Sequence, residues 1–215
     1  MNLFTCLLVY VFTCVLVYFL FPMNETSLKK KLSKINLGGL RYFDYIGSTN
    51  DEALAWAATG AGDLSIVIAD EQTRGRGRLN RKWFTPKGSA LAFSLILRQF
   101  PRPHLSRTVG LAALSIAESC TGLGLTPRIK WPNDIFINDK KIAGILIEKK
   151  TKYYIIGIGI NCHQQLHDFP AELAPIATRA LRSSRSSASL RISLGSTSLL
   201  RRGSGGTMRA KPPGI

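Results

Sequence analysis

Arg128-Ile-Lys-Trp-Pro-Asn-Asp-Ile-Phe-Ile-Asn-Asp-Lys-Lys-Ile-Ala-Gly-Ile-Leu-Ile-Glu148, followed after a short basic joint by Tyr153-Tyr-Ile-Ile-Gly-Ile-Gly-Ile-Asn161, carries four strand signals in succession. Arg128–Trp131 alternates and reads as a strand. Ile135–Ile137 and Lys141–Glu148 read as two more, joined by the turn pair Asn138-Asp139, and Tyr153–Ile160 supplies another. Working outward, the apolar runs Leu64–Ala69 and Ala90–Leu97 are strands, and Arg41–Ile46 alternates well enough for a further one. Thr108–Cys120 has helical periodicity, ended by Gly122-Leu-Gly124. A helix from Asp51 to Thr59 opens after Ser48-Thr49, with Glu52 in the capping-box position relative to Thr49. The expected architecture is α+β, a mixed sheet packed against helices and covered mainly on one face.

Between two of these strands lies Glu71-Gln-Thr-Arg-Gly-Arg-Gly-Arg-Leu-Asn-Arg-Lys-Trp83. A loop of this length without structure of its own is more often functional or disordered than an idle joint. Its glycines permit close backbone approach to a ligand, and Arg74, Arg76, Arg78 and Arg81 carry forks suited to phosphate or carboxylate. A solvated basic loop, or nonspecific contact with nucleic acid, explains the same residue types equally well.

Four motifs in series shift that balance. Gly75-Arg-Gly-Arg78 with Arg81-Lys-Trp83, Lys130-Trp-Pro-Asn-Asp134, Lys141-Ile-Ala-Gly144 and Gly157-Ile-Gly-Ile-Asn161 together resemble the catalytic domain of biotin protein ligases, over roughly residues 40 to 178. The resemblance implies a biotin/lipoate ligase-like fold, related to that of class II aminoacyl-tRNA synthetases. It also implies a two-step reaction: biotin and ATP give biotinyl-adenylate, and the acyl group then passes to a lysine of a biotin carboxyl carrier protein or domain. Mg²⁺ would accompany the ATP rather than sit in a protein cage.

By the same resemblance, Lys141, Arg78 and Asp134 are the catalytic candidates. Ser48, Thr49, Gln72, Gly75, Arg76, Arg78, Lys141 and Gly144 would bind biotin. Arg78, Arg81, Lys82, Trp83, Lys130, Asn133 and Asn161 would bind ATP or the adenylate. These residue types suit the chemistry, because the nucleophile is the substrate's own carboxylate and the protein's work is positional and electrostatic. Several candidates also have a plain structural role: Ser48 and Thr49 as caps, Trp83 in the core, Asn133 and Asn161 holding backbone, Lys141 solvated on its hairpin. Leu79-Asn80 stands where many relatives have Arg-Gly, which bears on how the loop closes. A lipoate ligase is the nearest enzyme alternative, and a chain that holds biotin or its adenylate without completing transfer is another.

The ends have a different character. Leu3–Phe21 carries no charge and as a helix would span about 28 Å, enough for a bilayer. A lysine cluster after it would keep the domain downstream in the cytosol. The same 22 residues read equally well as translated upstream sequence before a start at Met23. Residues 24–40 are too few for a helix-turn-helix unit, so no DNA-binding domain is expected. The expected division is an apolar segment at 1–22, an incomplete ligase domain at 23–178 and a basic low-complexity tail at 179–215. That tail holds Arg179, Arg182, Arg185, Arg191, Arg201, Arg202, Arg209 and Lys211 without an acid, half of the formal +16 charge. It reads as a basic arm for nucleic acid or a membrane surface, or as an out-of-frame end that leaves the chain catalytically impaired. Cys6, Cys14, Cys120 and Cys162 form no C-x-x-C pair, so reduced thiols in a cytosolic domain are expected. The Cys162-His163 and His167 spacing falls short of a metal site.

Overall fold

The computed structural model describes residues 25–33, 35–98, 105–150 and 152–179, together with Tyr10. Expectations for the tail beyond Arg179 and, Tyr10 aside, for residues 3–21 lie outside them. Among the described residues, no helix is long and apolar enough to cross a membrane.

The elements in chain order are α1 (Glu25–Leu32), β1 (Leu40–Phe43), α2 (Thr49–Ala58), β2 (Ser65–Ala69), β3 (Ala90–Leu97), α3 (Leu105–Gly122), β4 (Arg128–Lys130), β5 (Asp134–Ile137), β6 (Lys140–Lys149) and β7 (Tyr154–Asn161). Among the described residues the strands form one sheet of seven in the order β1-β2-β3-β7-β6-β5-β4. Within it β1 and β2 run parallel, and the other strand pairs are antiparallel. This is the mixed sheet expected of an α+β domain.

The central strands are apolar without alternation because both of their faces are covered. Leu91, Phe93 and Leu95 of β3 join Ile156, Ile158 and Ile160 of β7 in one cluster with Ala112, Ala113 and Ile116 of α3 and Leu28 and Leu32 of α1. The intervening Ile96, with Val67 and Ile155, packs on the opposite face against Ala53 and Ala57 of α2. Coverage is therefore less one-sided than expected. Helix α2 covers β2, β3 and β7, and the rest of its face is left to the site.

Asn138 (φ 48°) and Asp139 (φ 61°) are both left-handed, as a two-residue type I′ hairpin between β5 and β6 requires. Helix α2 starts at Thr49, two residues before its expected start, and Ser48 is its N-cap without a side-chain cap bond. No capping box forms, because Glu52 pairs with Arg41 and the Thr49 hydroxyl is engaged elsewhere. Strand β1 stops at Phe43, though Ile46 makes an isolated bridge to Gln72. Cys120 and Cys162 are free thiols in the core, and burial pushes both up to about 12. His167 is exposed beside Asp168, while Cys162 is wholly buried, so that spacing does not gather ligands.

Candidate active site

The α2 face of β6 and β7 has a floor of glycine. Gly144, Gly157 and Gly159 line the pocket, and Gly144 is paired with Gly159 in the sheet register. A Cβ at Gly159 would lie 2.1 Å from the Trp83 indole, and one at Gly157 would lie 2.1 Å from Asn50 Oδ1. Both positions need the bare backbone because a neighbour already occupies the side-chain volume.

Lys141 and Gly144 are three apart and would point to opposite faces of a regular strand. The register between β5 and β6 shifts here, with Ile135 opposite Ala143 but Phe136 opposite Lys141. The extra residue, Ile142, is buried, and the bulge turns Lys141 onto the same face as Gly144. Lys141 Nζ then pairs with Asp134 Oδ1 at 2.8 Å, with both side chains less than one-third exposed. It also lies 5.4 Å from the Trp83 ring centroid.

The wall opposite is the start of α2. Gln72 Oε1 accepts from both the Thr49 backbone N–H (2.8 Å) and its hydroxyl (3.0 Å), while Gln72 Nε2 donates to Thr85 Oγ1. Ser94 Oγ, buried in β3, lies 2.9 Å from Thr49 Oγ1 and 2.6 Å from Asn50 Oδ1. Asn50 Nδ2 donates to Glu148 at 2.7 Å. Fixed donors and acceptors at one end of a glycine-floored pocket suit a ligand with a polar edge.

The basic loop has structure of its own, contrary to expectation. Gln72 N–H donates to the Thr85 carbonyl, Trp83 N–H to Gly75 and Gly77 N–H to Arg81, so the chain folds back as an irregular arm with a 3₁₀ turn at Arg78–Asn80. Arg76 ion-pairs with Asp51 and Glu148, and Arg78 donates to Asn133 Oδ1 at 2.8 Å. Leu79 (φ 56°) and Asn80 (φ 57°) are left-handed. Asn tolerates that region, whereas Leu does not, at a cost of order 1 kcal/mol. The arm lays Trp83 over Gly144 and Gly159, with its indole N–H buried and without a hydrogen-bond partner among the described residues. The remaining cavity is only about 50 Å³, against roughly 300 Å³ or more for a small-molecule site.

Of the residues singled out from the sequence, Ser48, Thr49, Gln72, Arg76, Arg78, Trp83, Asn133, Lys141 and Gly144 line one pocket. Asp134 reaches it through Lys141. Five candidates stand apart from the lining. A Cβ at Gly75 would meet the Trp83 carbonyl oxygen at 2.4 Å, so its close approach is to the loop's own backbone. Arg81 and Lys82 are exposed on the arm, and Lys130 lies over the Phe136 ring. Asn161 donates to the Lys141 and Thr178 carbonyls and ties residues 176–178 to the start of β6. Sequence reasoning missed Asn50, Ser94 and Glu148. The Gly157-Ile-Gly159 pattern signals a backbone approached by something, but it does not say by what.

Residues 42–164 match the Biotin/lipoate A/B protein ligase family. The bifunctional ligase/repressor BirA of Bacillus subtilis is 43% identical over 166 residues, covering 73% of this chain and 50% of its own. The biotin--[acetyl-CoA-carboxylase] ligase of Mycobacterium tuberculosis is 37% identical over 171 residues, 74% of this chain and 62% of its own. The solved biotin protein ligase from Aquifex aeolicus, in complex with biotin and ATP, superposes with a TM-score of 0.59 at 31% identity, covering 66% of this chain and 59% of that one. The chain spans about half the length of the first of these relatives.

Proposed function

Because this chain belongs to the biotin/lipoate A/B protein ligase family, we propose that its pocket activates biotin with ATP and passes the acyl group to a lysine of a biotin carboxyl carrier domain. One observation carries the reading. A loop and a hairpin more than fifty residues apart deliver Arg76, Arg78 and Lys141 to a single pocket, whose far wall is the Ser48–Asn50 and Gln72 network.

In this reading the ureido edge of biotin meets Ser48, Thr49 and Gln72, and its bicycle lies on the glycine floor. The carboxylate then points towards Lys141 and the loop arginines. A carboxylate oxygen attacks the α-phosphorus of ATP, the bond to the bridging oxygen breaks, and pyrophosphate leaves with Mg²⁺. Two anions must meet, so fixed cations lower the barrier by holding charge they need not reorganise to receive. Asp134 holds Lys141 in place for this step. In the second step the carrier lysine attacks the acyl carbon and AMP leaves.

A bicyclic ligand exceeds the present cavity, so Trp83 and the arm must move to admit it and then close over the adenylate, a mixed anhydride that water would hydrolyse. In the same reading Trp83, Arg78 and Asn133, which line the pocket, receive the nucleotide.

The test is AMP release from ATP by the purified chain, with biotin, with lipoate and with neither, followed by transfer to an isolated carrier domain. AMP that appears only with biotin, and a biotinylated lysine, support the proposal. AMP formed equally with lipoate points to the sister activity. Adenylate that forms without transfer identifies a binder that stops at the first step.

A further inference from the structure

Glu148 lies outside the pocket's lining, yet it is bonded to two residues that belong to it, Asn50 and Arg76. Its Oε2 accepts from Asn50 Nδ2 at 2.7 Å and lies 2.9 Å from Arg76 Nη2, while its Oε1 lies 3.2 Å from the same nitrogen. Asp51 Oδ1 approaches that nitrogen at 2.7 Å from the other side. Strand β6, the start of α2 and the basic arm thus converge on one carboxylate and one guanidinium nitrogen. Nη2 carries only two of the five donors of an arginine. Holding it fixes the plane of the fork without consuming the donors on Nε and Nη1.

We propose that Glu148 is a positioning residue: with Asp51 it latches Arg76, and with it the arm from Arg74 to Lys82, against the start of α2, so that the guanidinium is already oriented when an anionic ligand arrives. The latch is electrostatic and weak enough to open. Glu148 is 29% exposed and Arg76 41%, so salt and water screen the pair. An incoming carboxylate or phosphate meets the donors left on Nε and Nη1, so ligand and latch hold the same guanidinium together. The consequence for catalysis rests on the function proposed above, whereas the latch itself does not.

The experiment uses the full chain and E148Q, which keeps an oxygen acceptor for Asn50 and removes the charge, with D51N as a second variant. Limited trypsin digestion without ligand, read by mass spectrometry at Arg74, Arg76, Arg78 and Arg81, measures opening of the arm. Cleavage in E148Q should rise about three- to fivefold, the scale of losing one half-exposed ion pair, at an unchanged melting temperature. Raising NaCl should speed cleavage of the wild type relative to sites elsewhere in the chain and have a smaller effect on E148Q, where only the Asp51 pair is left to screen. In biotin-dependent AMP formation the KM for biotin should rise several-fold with kcat within about twofold, since a lost orienting contact weakens binding without removing a reacting group. Cleavage in E148Q within the error of wild type, or a salt response equal in both, overturns the latch whatever the activity. If cleavage rises while the wild type forms no biotin-dependent AMP, the latch stands and the assigned reaction fails.

Discussion

Replacing Gly157 by alanine places a methyl group where the Asn50 amide now sits. The added Cβ would lie 2.1 Å from Oδ1 and 2.9 Å from Nδ2, so the amide must retreat by more than about an ångström to reach van der Waals distance. Asn50 is 4% exposed, and in retreating it gives up Ser94 at 2.6 Å and Glu148 at 2.7 Å. A buried polar group stripped of its partner costs about 1–3 kcal/mol, and overpacking adds about 1–3 kcal/mol. Allowing for overlap between the two, G157A should destabilise by about 2–4 kcal/mol. For a domain of this size that lowers Tm by about 4–16 °C. The decisive assay is a double-mutant cycle in urea. With Asn50→Ala in place the volume above position 157 is open, and G157A should then cost under about 1 kcal/mol, or stabilise, because alanine loses less backbone freedom than glycine. Equal destabilisation by G157A in the wild type and in the Asn50→Ala variant would refute the reasoning. The requirement for glycine would then lie in the strand itself.

Lys141→Gln should lower biotin-dependent AMP formation by about 10²-fold, the scale of losing one preorganised donor, with little change in melting; equal turnover would remove Lys141 from the site. Asn161→Ala removes the bonds to the Lys141 and Thr178 carbonyls, so tryptic cleavage after Arg179 should accelerate several-fold, and an unchanged rate would deny Asn161 its tethering role. At pH 8 an alkylating reagent should spare Cys120 and Cys162 in the folded chain and label both in urea, since burial pushes the two thiols up to about 12; labelling at the same rate in both states would show that the core opens. With folded values above the unfolded value of about 8.5, the thiols' contribution to stability is complete below about pH 8.5 and is lost as pH rises towards 12.

Most of the sheet was legible, because β3 and β7 announce their burial by unbroken apolar runs and Asn138-Asp139 announces its turn. The start of α2 was not. Thr49 and Glu52 fit a capping box locally, but Gln72 and Arg41 offer them stronger partners through tertiary contact. The bulge at Ile142 was also hidden, since the pattern Lys-Ile-Ala-Gly looks like an ordinary strand until β5 is placed beside it. Of the site, the residues with charge or a distinctive motif could be found. Asn50, Ser94 and Glu148 could not, because their role exists only once residues as much as 98 apart have met. Asn161 was singled out for a nucleotide or for backbone, and only the fold shows that the main chain it holds is that of Lys141 and Thr178.

The glycine floor has a consequence for how such a pocket can change. Backbone amides and carbonyls offer nothing to substitute, and any side chain introduced at 157 or 159 collides with Asn50 or Trp83. Under the function proposed above, altered preference among acids with different head groups is therefore written on the rim, in the first turn of α2, at Gln72 and along the arm. The platform stays constant while its borders diversify, so variants selected for a new acid should cluster at Ser48–Asp51 and Gln72–Trp83 and leave the two central strands untouched.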